Sequence, residues 1–462
     1  MARIALIKCD QPSRGTEGRT PPLGLMMVAA CLREKGNHSI RILDARFHGK
    51  SLPKLLKEIN PEIVGLSALT IEAHSLHRIA DTVKGLFPHA TVIAGGPHAS
   101  FYPEEALSNP NIDIVVRGEG ENTIAELVDK DNKNLSGIKG IAFRDDGRVV
   151  LTEPRPYIQD LDALPFPAWD LIDLRLYWGH KSMASLGLRK YMALFTSRAC
   201  PYRCIYCHDV FGKRFRPRSP ENVLEEMGLL SSKYGINDFE ILDDIFNLDI
   251  PRSKKIFSLI HERLPRTKLA FPNGIRGDRM DKEFTELLRR AGTQYISIAV
   301  ETASPRLQRL IKKNLDLKKT EEAIVRCVKE GIFVNGFFMV GFPTETREEI
   351  IETIEFAARS HLHTAMFFIV TPFEGTELMK TYKERIQRFQ IEFKDHDFFT
   401  GYYNLSEVSD PELFKLQKHA FRRFYLTRWR PVRIVISYPN RKELWRYVIT
   451  PIKRAFRWKR GH

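Results

Sequence analysis

Short apolar runs alternate with helix-like stretches twice along this chain, and no other feature of the sequence restricts the fold so strongly. In the first 130 residues the runs Ile4–Ile7, Ile40–Leu43, Ile63–Leu66, Thr91–Ala94 and Ile112–Val116 read as strands. Helix patterns over Pro22–Lys35, Leu52–Ile59 and Ala73–Phe87, and another beyond Val116, punctuate them. Unbroken apolar strands alternating with helices imply a parallel sheet covered on both faces, with right-handed crossovers. Residues 1–130 are therefore expected to form a doubly wound, flavodoxin/Rossmann-like α/β domain. A second series begins at Tyr191, with strand patterns at Ala193–Thr196, Phe239–Leu242, Leu269–Phe271, Tyr295–Val300, Phe333–Val340 and Ala365–Val370. Six such units up to about residue 400 suggest a partial (β/α)6 barrel of the TIM type. Between the two, residues 131–190 hold a hairpin signal from Ile141 to Val150 and a Pro-rich stretch, Leu164–Trp169, and read as a linker packed between domains.

With 43% hydrophobic residues in 462, the chain has ample material for its cores, which excludes disorder over most of its length. No run of about 18 apolar residues is present, so no spanning helix is expected. The opening MARIALIKCD meets charge too soon for a secretory signal, and the expected compartment is the cytoplasm. The net charge of +15 is concentrated at one end. Phe421–His462 holds thirteen Lys and Arg against one acid, Glu443, a net of +12 that leaves +3 for the rest. That distribution argues against a protein that coats nucleic acid, and no DNA partner is expected.

Ligands of doubly wound sheets bind beyond the carboxyl ends of the strands. Those ends carry Ser67-Ala-Leu69-Thr70, Gly95-Gly96-Pro97-His98 and Gly118-Glu119-Gly120-Glu121. Glycines there admit close approach to the backbone, and free amides at helix starts suit phosphate. Three such turns along one edge favour a large cofactor.

Six cysteines in the chain are too few for a disulfide scaffold and fit a reducing compartment. Cys31 and Cys327 sit among apolar neighbours on helix patterns and read as core, as does Cys9 at the end of the first strand. Cys200, Cys204 and Cys207 instead crowd into eight residues, as C-x3-C-x2-C just after the first strand of the second series. Three thiolates on one loop can hold three irons of a cubane cluster and leave the fourth iron open. The alternative is a zinc site completed by His208, although its adjacency to Cys207 strains tetrahedral closure.

With Tyr206 as the aromatic residue before the last cysteine, this motif and its setting resemble the radical SAM enzymes. The first domain looks like the cobalamin-binding domain fused to one large class of them, and the resemblance covers roughly residues 1–400. Further matches are Pro21-Pro-Leu23-Gly24-Leu25, the stretch Phe239–Phe246, Arg276-Gly-Asp278, Val300-Glu301-Thr-Ala-Ser304, Val340-Gly341-Phe-Pro-Thr-Glu345 and Thr371–Thr376. The resemblance implies a [4Fe-4S] cluster on the three cysteines, S-adenosylmethionine (SAM) on the open iron, and a deoxyadenosyl radical that abstracts hydrogen from an unactivated carbon. It also implies that Tyr206, Asp243, Arg276 and Glu301 bind around SAM, with Val340 and Gly341 near its adenine. Cobalamin would lie against Leu23, Gly24, Ser67, Leu69, Thr70, Gly95, Gly96, Pro97, Gly118, Glu119 and Gly120. An electron donor of the flavodoxin or ferredoxin type is implied as a partner. One departure stands out: cobalamin proteins that ligate cobalt carry D-x-H-x-x-G, where this chain reads Asp44-Ala-Arg46-Phe-His48-Gly49. An always-charged guanidinium cannot ligate cobalt.

Residues 401–462 read as a helical, basic segment, with short helices opening at Asn440 and Thr450. Trp445, Val448, Ile449, Ile452 and Phe456 are spaced as one face, and Arg446, Lys453, Arg454, Arg457, Lys459 and Arg460 supply charge. That composition suits an anionic membrane surface, such as the inner face of the cell membrane, with structured RNA or plain solvent as the other readings. The expected function is methylation of an unactivated carbon on a lipophilic substrate. Radical oxidative cyclisation, of the anaerobic magnesium-protoporphyrin ester cyclase kind that the chain also resembles, and a non-catalytic metal-binding protein are the alternatives.

Overall fold

The computed structural model describes residues 1–11, 19–130, 134–387, 389, 403–427 and 429–444. The expected membrane-facing residues from Trp445 onward lie outside the described residues. The first sheet comprises β1 (Arg3–Lys8), β2 (Ser39–Asp44), β3 (Ile63–Ser67), β4 (Thr91–Gly95), β5 (Ile114–Val116), β6 (Ile141–Asp145) and β7 (Arg148–Leu151). Its order is β2-β1-β3-β4-β5-β6-β7, parallel through β5, so the flavodoxin-like order 2-1-3-4-5 expected of a doubly wound domain is present. Lys8 pairs with both Asp44 and Ser67, and Ser67 with Gly95, which sets four strand ends along one edge.

The hairpin β6–β7 departs from the linker reading of 131–190. It joins the sheet antiparallel at β5, because Val116, Val115 and Ile114 would otherwise leave an open edge. Only the stretch beyond it runs as a connection.

The second sheet comprises β8 (Met192–Leu194), β11 (Asp238–Ile241), β12 (Lys268–Ile275), β13 (Thr293–Glu301), β14 (Phe333–Val340) and β15 (Thr364–Ile369). These six parallel strands follow the order β15-β14-β13-β12-β11-β8 and stay open between β15 and β8. A separate two-stranded ladder, β9 (Ser197–Arg198) with β10 (Arg216–Pro217), stands beside them. Helices start where short polar side chains cap them: Ser219, Asp249, Asp281, Ser304, Asp316 and Thr346 each accept an amide hydrogen bond from the first turn. One apolar core runs from Ile4 and Leu25 in the first unit to Phe257, Phe338 and Phe424 in the second. Cys9, Cys31 and Cys327 are buried within the fold.

At the amino-terminal end of β14, His363 stacks on Phe333 at 4.6 Å and its Nδ1 accepts the Val334 amide at 3.0 Å. Burial, reinforced by Arg433 and Arg430, holds its pKa down at about 3. The unfolded chain therefore binds a proton that the native fold rejects as pH drops below the ordinary value of 6.5. Stability should fall on acidification by up to about 1.4 kcal/mol per pH unit from this group. In His363→Gln that slope between pH 6.5 and 5 should flatten, as measured by urea unfolding at each pH.

Candidate functional site

The cysteines occupy a loop whose neck is closed twice. Ser197 pairs with Pro217 and Arg198 with Arg216 in the β9–β10 ladder, so residues 199–215 form a closed excursion from the barrel. The neck is then held residue by residue. Asp243, buried at the end of β11, accepts from the Thr196 amide at 2.6 Å, the Thr196 hydroxyl at 2.5 Å and the Ser197 hydroxyl at 2.6 Å. Arg198 donates to Glu119 at 2.8 Å and to Glu121 at 2.6 Å. Arg216, opposite it in the ladder, donates to the same Glu119 at 2.8 Å and to the Ile158 carbonyl at 2.6 Å. All four charged side chains are at most 10% exposed.

Within the loop, Ala199 adopts φ +69°, a strained backbone for a residue with a Cβ. Its amide is held by Asp244, whose carboxyl burial pushes up against the nearby charge of His208. The Ile205 amide donates to the Ile311 carbonyl at 3.1 Å, and the Ile205 carbonyl accepts the Leu378 amide at 2.8 Å. The Tyr206 ring meets Phe342 at 5.8 Å. Arg276 lies over the Tyr202 ring at 4.1 Å and donates to Asp278 at 2.9 and 3.0 Å, to the Lys313 carbonyl from Nη1 and to the Asn314 carbonyl from Nη2.

The donor chemistry of this loop fits an iron–sulfur cluster: three thiols, near enough that Cys204 raises the titration of both others. Cys207 is open to solvent, and desolvation by the loop around it together with the neighbouring Cys204 raises its thiol above the ordinary range. Among the described residues no three His, Cys, Asp or Glu side chains already stand together as a metal site.

The expected SAM residues divide. Glu301 faces the cysteine loop: it has φ +66° at a register shift against β14, pairs with Lys313 at 3.3 Å and, after burial, contributes to raising Tyr206. Asp243 departs from the expectation, because the neck occupies both of its oxygens. Its neighbour Asp244 is the carboxylate turned to the cysteines. Arg276 likewise spends its donors on Asp278 and two carbonyls. Val340 is buried in the core, and Gly341 uses its amide on Glu345 at 2.6 Å and its carbonyl on Leu405 at 3.3 Å. Glu345 is itself buried, one oxygen without a partner, and burial lifts its pKa to about 8.

Along the edge of the first sheet, open backbone fits a large ligand. A Cβ at Gly24 or Gly118 would meet nothing within 4 Å, and Leu69 stands exposed. Gly96 has another reason: at φ +87° its Cβ would strike the Ala68 carbonyl at 2.9 Å, so the turn itself requires glycine. Ser67, Thr70, Gly95, Pro97 and Gly120 share this edge, and Leu23 lies buried at the start of the helix Leu23–Lys35. Glu119 departs from its expected cofactor role, since Arg198, Arg216 and the Ile158 amide occupy it. Arg46, standing where a cobalt ligand would, is bound to Asp44 at 2.9 and 2.6 Å and to the Thr20 carbonyl, and Tyr177 donates to the same Asp44 at 2.9 Å. Sequence reasoning missed Arg198, Arg216 and Asp244 and gave Glu121 no docking role, although the Asp243-Asp244 doublet and the Gly118–Glu121 turn were visible signals.

Residues 15–128 match the B12 binding domain and residues 194–357 the Radical SAM superfamily. An uncharacterized methyltransferase of Pyrococcus horikoshii is 33% identical over 420 residues, 89% of each chain. The cytidylyl-2-hydroxyethylphosphonate methyltransferase of Streptomyces wedmorensis is 31% identical over 78% of this chain and 77% of its own. The anaerobic magnesium-protoporphyrin IX monomethyl ester cyclase of Cereibacter sphaeroides is 27% identical over 92% of this chain and 70% of its own. In fold, the chain is similar to the radical S-adenosylmethionine methyltransferase TsrM of Kitasatospora setae, with TM-score 0.69 and 21% identity over 83% of this chain and 76% of that one.

Removing Arg198 from the buried joint strands Glu121 and leaves Glu119 to Arg216 and the Ile158 amide. Arg198→Met should cost about 3–5 kcal/mol in chemical denaturation, and adding Glu121→Gln should recover part of it.

Proposed function

The chain belongs to the radical SAM enzymes that carry a B12-binding domain, and on that premise we propose that it methylates an unactivated carbon of a lipophilic substrate. One observation carries the reading: the neck of the cysteine loop is bound by the turn that follows β5, so the thiols and the open edge of the first sheet belong to one framework. When bound, the cluster would supply the electron that cleaves SAM, and cobalamin would carry the methyl group. Cys200, Cys204 and Cys207 would hold the cluster. Asp244, Glu301 and Tyr206 line that side and would orient the polar end of SAM, while Arg276 keeps the loop in place through Tyr202. Gly24, Leu69 and Gly118 would give cobalamin its flat approach, with Ser67, Thr70, Gly95, Gly96, Pro97 and Gly120 supplying backbone around it. Arg46 is too well bound to leave Asp44, which supports a cobalt without a protein ligand from this loop.

Radical SAM enzymes need a reductant and a substrate. The donor we propose is a flavodoxin or ferredoxin, and exposed Arg203 and Arg214 in the cysteine loop suit an acidic protein of that kind. We place the enzyme in the cytoplasm at an anionic membrane surface. No helix among the described residues is long and apolar enough to cross a membrane.

The test is anaerobic turnover of the reconstituted protein with cobalamin, a reductant and a membrane-lipid extract, followed by mass spectrometry of both SAM products. Methyl transfer should give S-adenosylhomocysteine and 5′-deoxyadenosine in comparable amounts, with one lipid gaining a methylene. Deoxyadenosine without the homocysteine product would replace methylation by the cyclase-type reaction that the third relative represents. Cys204→Ala should lose cluster iron and all SAM cleavage together; cleavage that survives in this variant would remove the cysteines from the site.

A further inference from the structure

The helix Arg430–Ser437 packs against the barrel by the side that carries charge and turns its aliphatic side outward. Arg430 is buried, reaching the carbonyls of Ala358, Ser360 and Leu362 where the helix Arg347–Arg359 ends, and Ile434 is buried beside it. Arg433 donates to the His361 carbonyl at 2.6 Å. Just beyond the helix, buried Tyr438 meets Phe333 edge-on at 5.6 Å and donates to the Ser185 carbonyl at 2.9 Å. The contacts fix which side faces the solvent. Val432, Val435 and Ile436, at helix-face spacing, are 45%, 46% and 64% exposed, with Trp429 and Leu426 also exposed in the turn before them. A surface helix normally shows the opposite arrangement. A row of large apolar side chains on one exposed surface marks a docking face.

Charge selects the partner. The segment Phe421–His462 carries thirteen cationic residues and one acid, so its surroundings favour an anionic surface. Arg422, Arg441 and Lys442 are exposed on the described part. Valine and isoleucine gain nothing from phosphates or base edges, whereas an aliphatic and tryptophan face bordered by arginine is the composition that settles at the headgroup level of acidic lipids.

We propose that the outer face of the helix Arg430–Ser437, with Leu426 and Trp429, is the surface by which this protein sits on an anionic lipid membrane. The proposal deepens the membrane reading given above and moves the contact from the basic tail to a folded element. It also fixes orientation. The helix lies at the amino-terminal ends of β14 and β15, through Phe333 and His361, whereas the cysteine loop lies at the carboxyl ends of the barrel strands. The membrane is thus under the floor of the barrel, and the mouth points away from it.

The test uses the full chain and vesicles of phosphatidylglycerol with phosphatidylcholine, or of phosphatidylcholine alone, in a flotation assay. The wild type should bind the anionic vesicles and not the neutral ones. Val435→Asp with Ile436→Asp should weaken that binding at least about tenfold, with thermal midpoint and SAM cleavage unchanged. Removal of residues 445–462 should weaken it and leave a contribution that the aspartate pair abolishes. A wild type that ignores anionic vesicles overturns the membrane reading itself. Anionic binding that the aspartate pair leaves undiminished overturns this assignment alone, and leaves the contact to the tail. Should the pair instead turn a dimer into a monomer with vesicle binding untouched, the face belongs to a second copy of the chain and the proposal falls.

Discussion

Two glutamates and two arginines, sealed from water between the sheets, decide how the rest of this structure is arranged. Glu119 and Glu121 come from the turn after β5, while Arg198 and Arg216 are the paired residues at the neck of the cysteine loop. Burying four charges is costly, and ion pairs of this kind commonly add little net stability over apolar residues of the same shape. Their effect is on geometry. A guanidinium left without its carboxylate there is strongly disfavoured, so alternative placements of one sheet against the other are removed. Asp243 and Asp244 repeat the principle from the barrel side. Residues 196 to 199 are consequently bound one after another by side chains from both units, and the strained Ala199 is held where it would not rest by itself.

This arrangement separates rigid from permissive parts of the site. The approach to the thiols is heavily determined: Arg276 against Tyr202, Ile205 between Ile311 and Leu378, Tyr206 beside Phe342. The edge of the first sheet is the reverse, with open space over Gly24 and Gly118 and an exposed Leu69. A small reactive centre needs exact placement of a few atoms, whereas a large flat cofactor needs mainly clearance and apolar contact, and the two ends of the site differ in that sense.

The strand–helix order was legible because continuous apolar runs identify buried parallel strands. All six barrel strands lie within a few residues of their patterns, and the helix Leu52–Ile59 has the bounds its pattern gives. The hairpin Ile141–Leu151 was recognised as a hairpin but misplaced as linker, since a turn signal says nothing about which sheet the strands join. The thiol triplet was legible from spacing alone. The carboxylates were not. Glu119 sits at a strand end, where ligand binding and domain docking look alike, and its partner Arg198 is 79 residues away. Asp243 and Asp244 are adjacent, and neighbours on a strand end turn to opposite sides, so the doublet identified the place without saying which member faces the mouth. Val340 and Gly341 were judged by motif, while the surroundings of Gly341 depend on Leu413 of the helix Asp410–Tyr425.

The buried joint bears on how such enzymes can diversify. A two-domain protein whose halves meet through scattered apolar contacts can exchange one half for another and repack. Here an exchanged first domain lacking Glu119 and Glu121 would leave Arg198 and Arg216 uncompensated at the neck of the cysteine loop, and the defect would reach the three cysteines directly. The four residues can therefore be inherited or grafted only as a set, which ties the history of the ligand-binding half to that of the barrel more tightly than their separate folds would suggest.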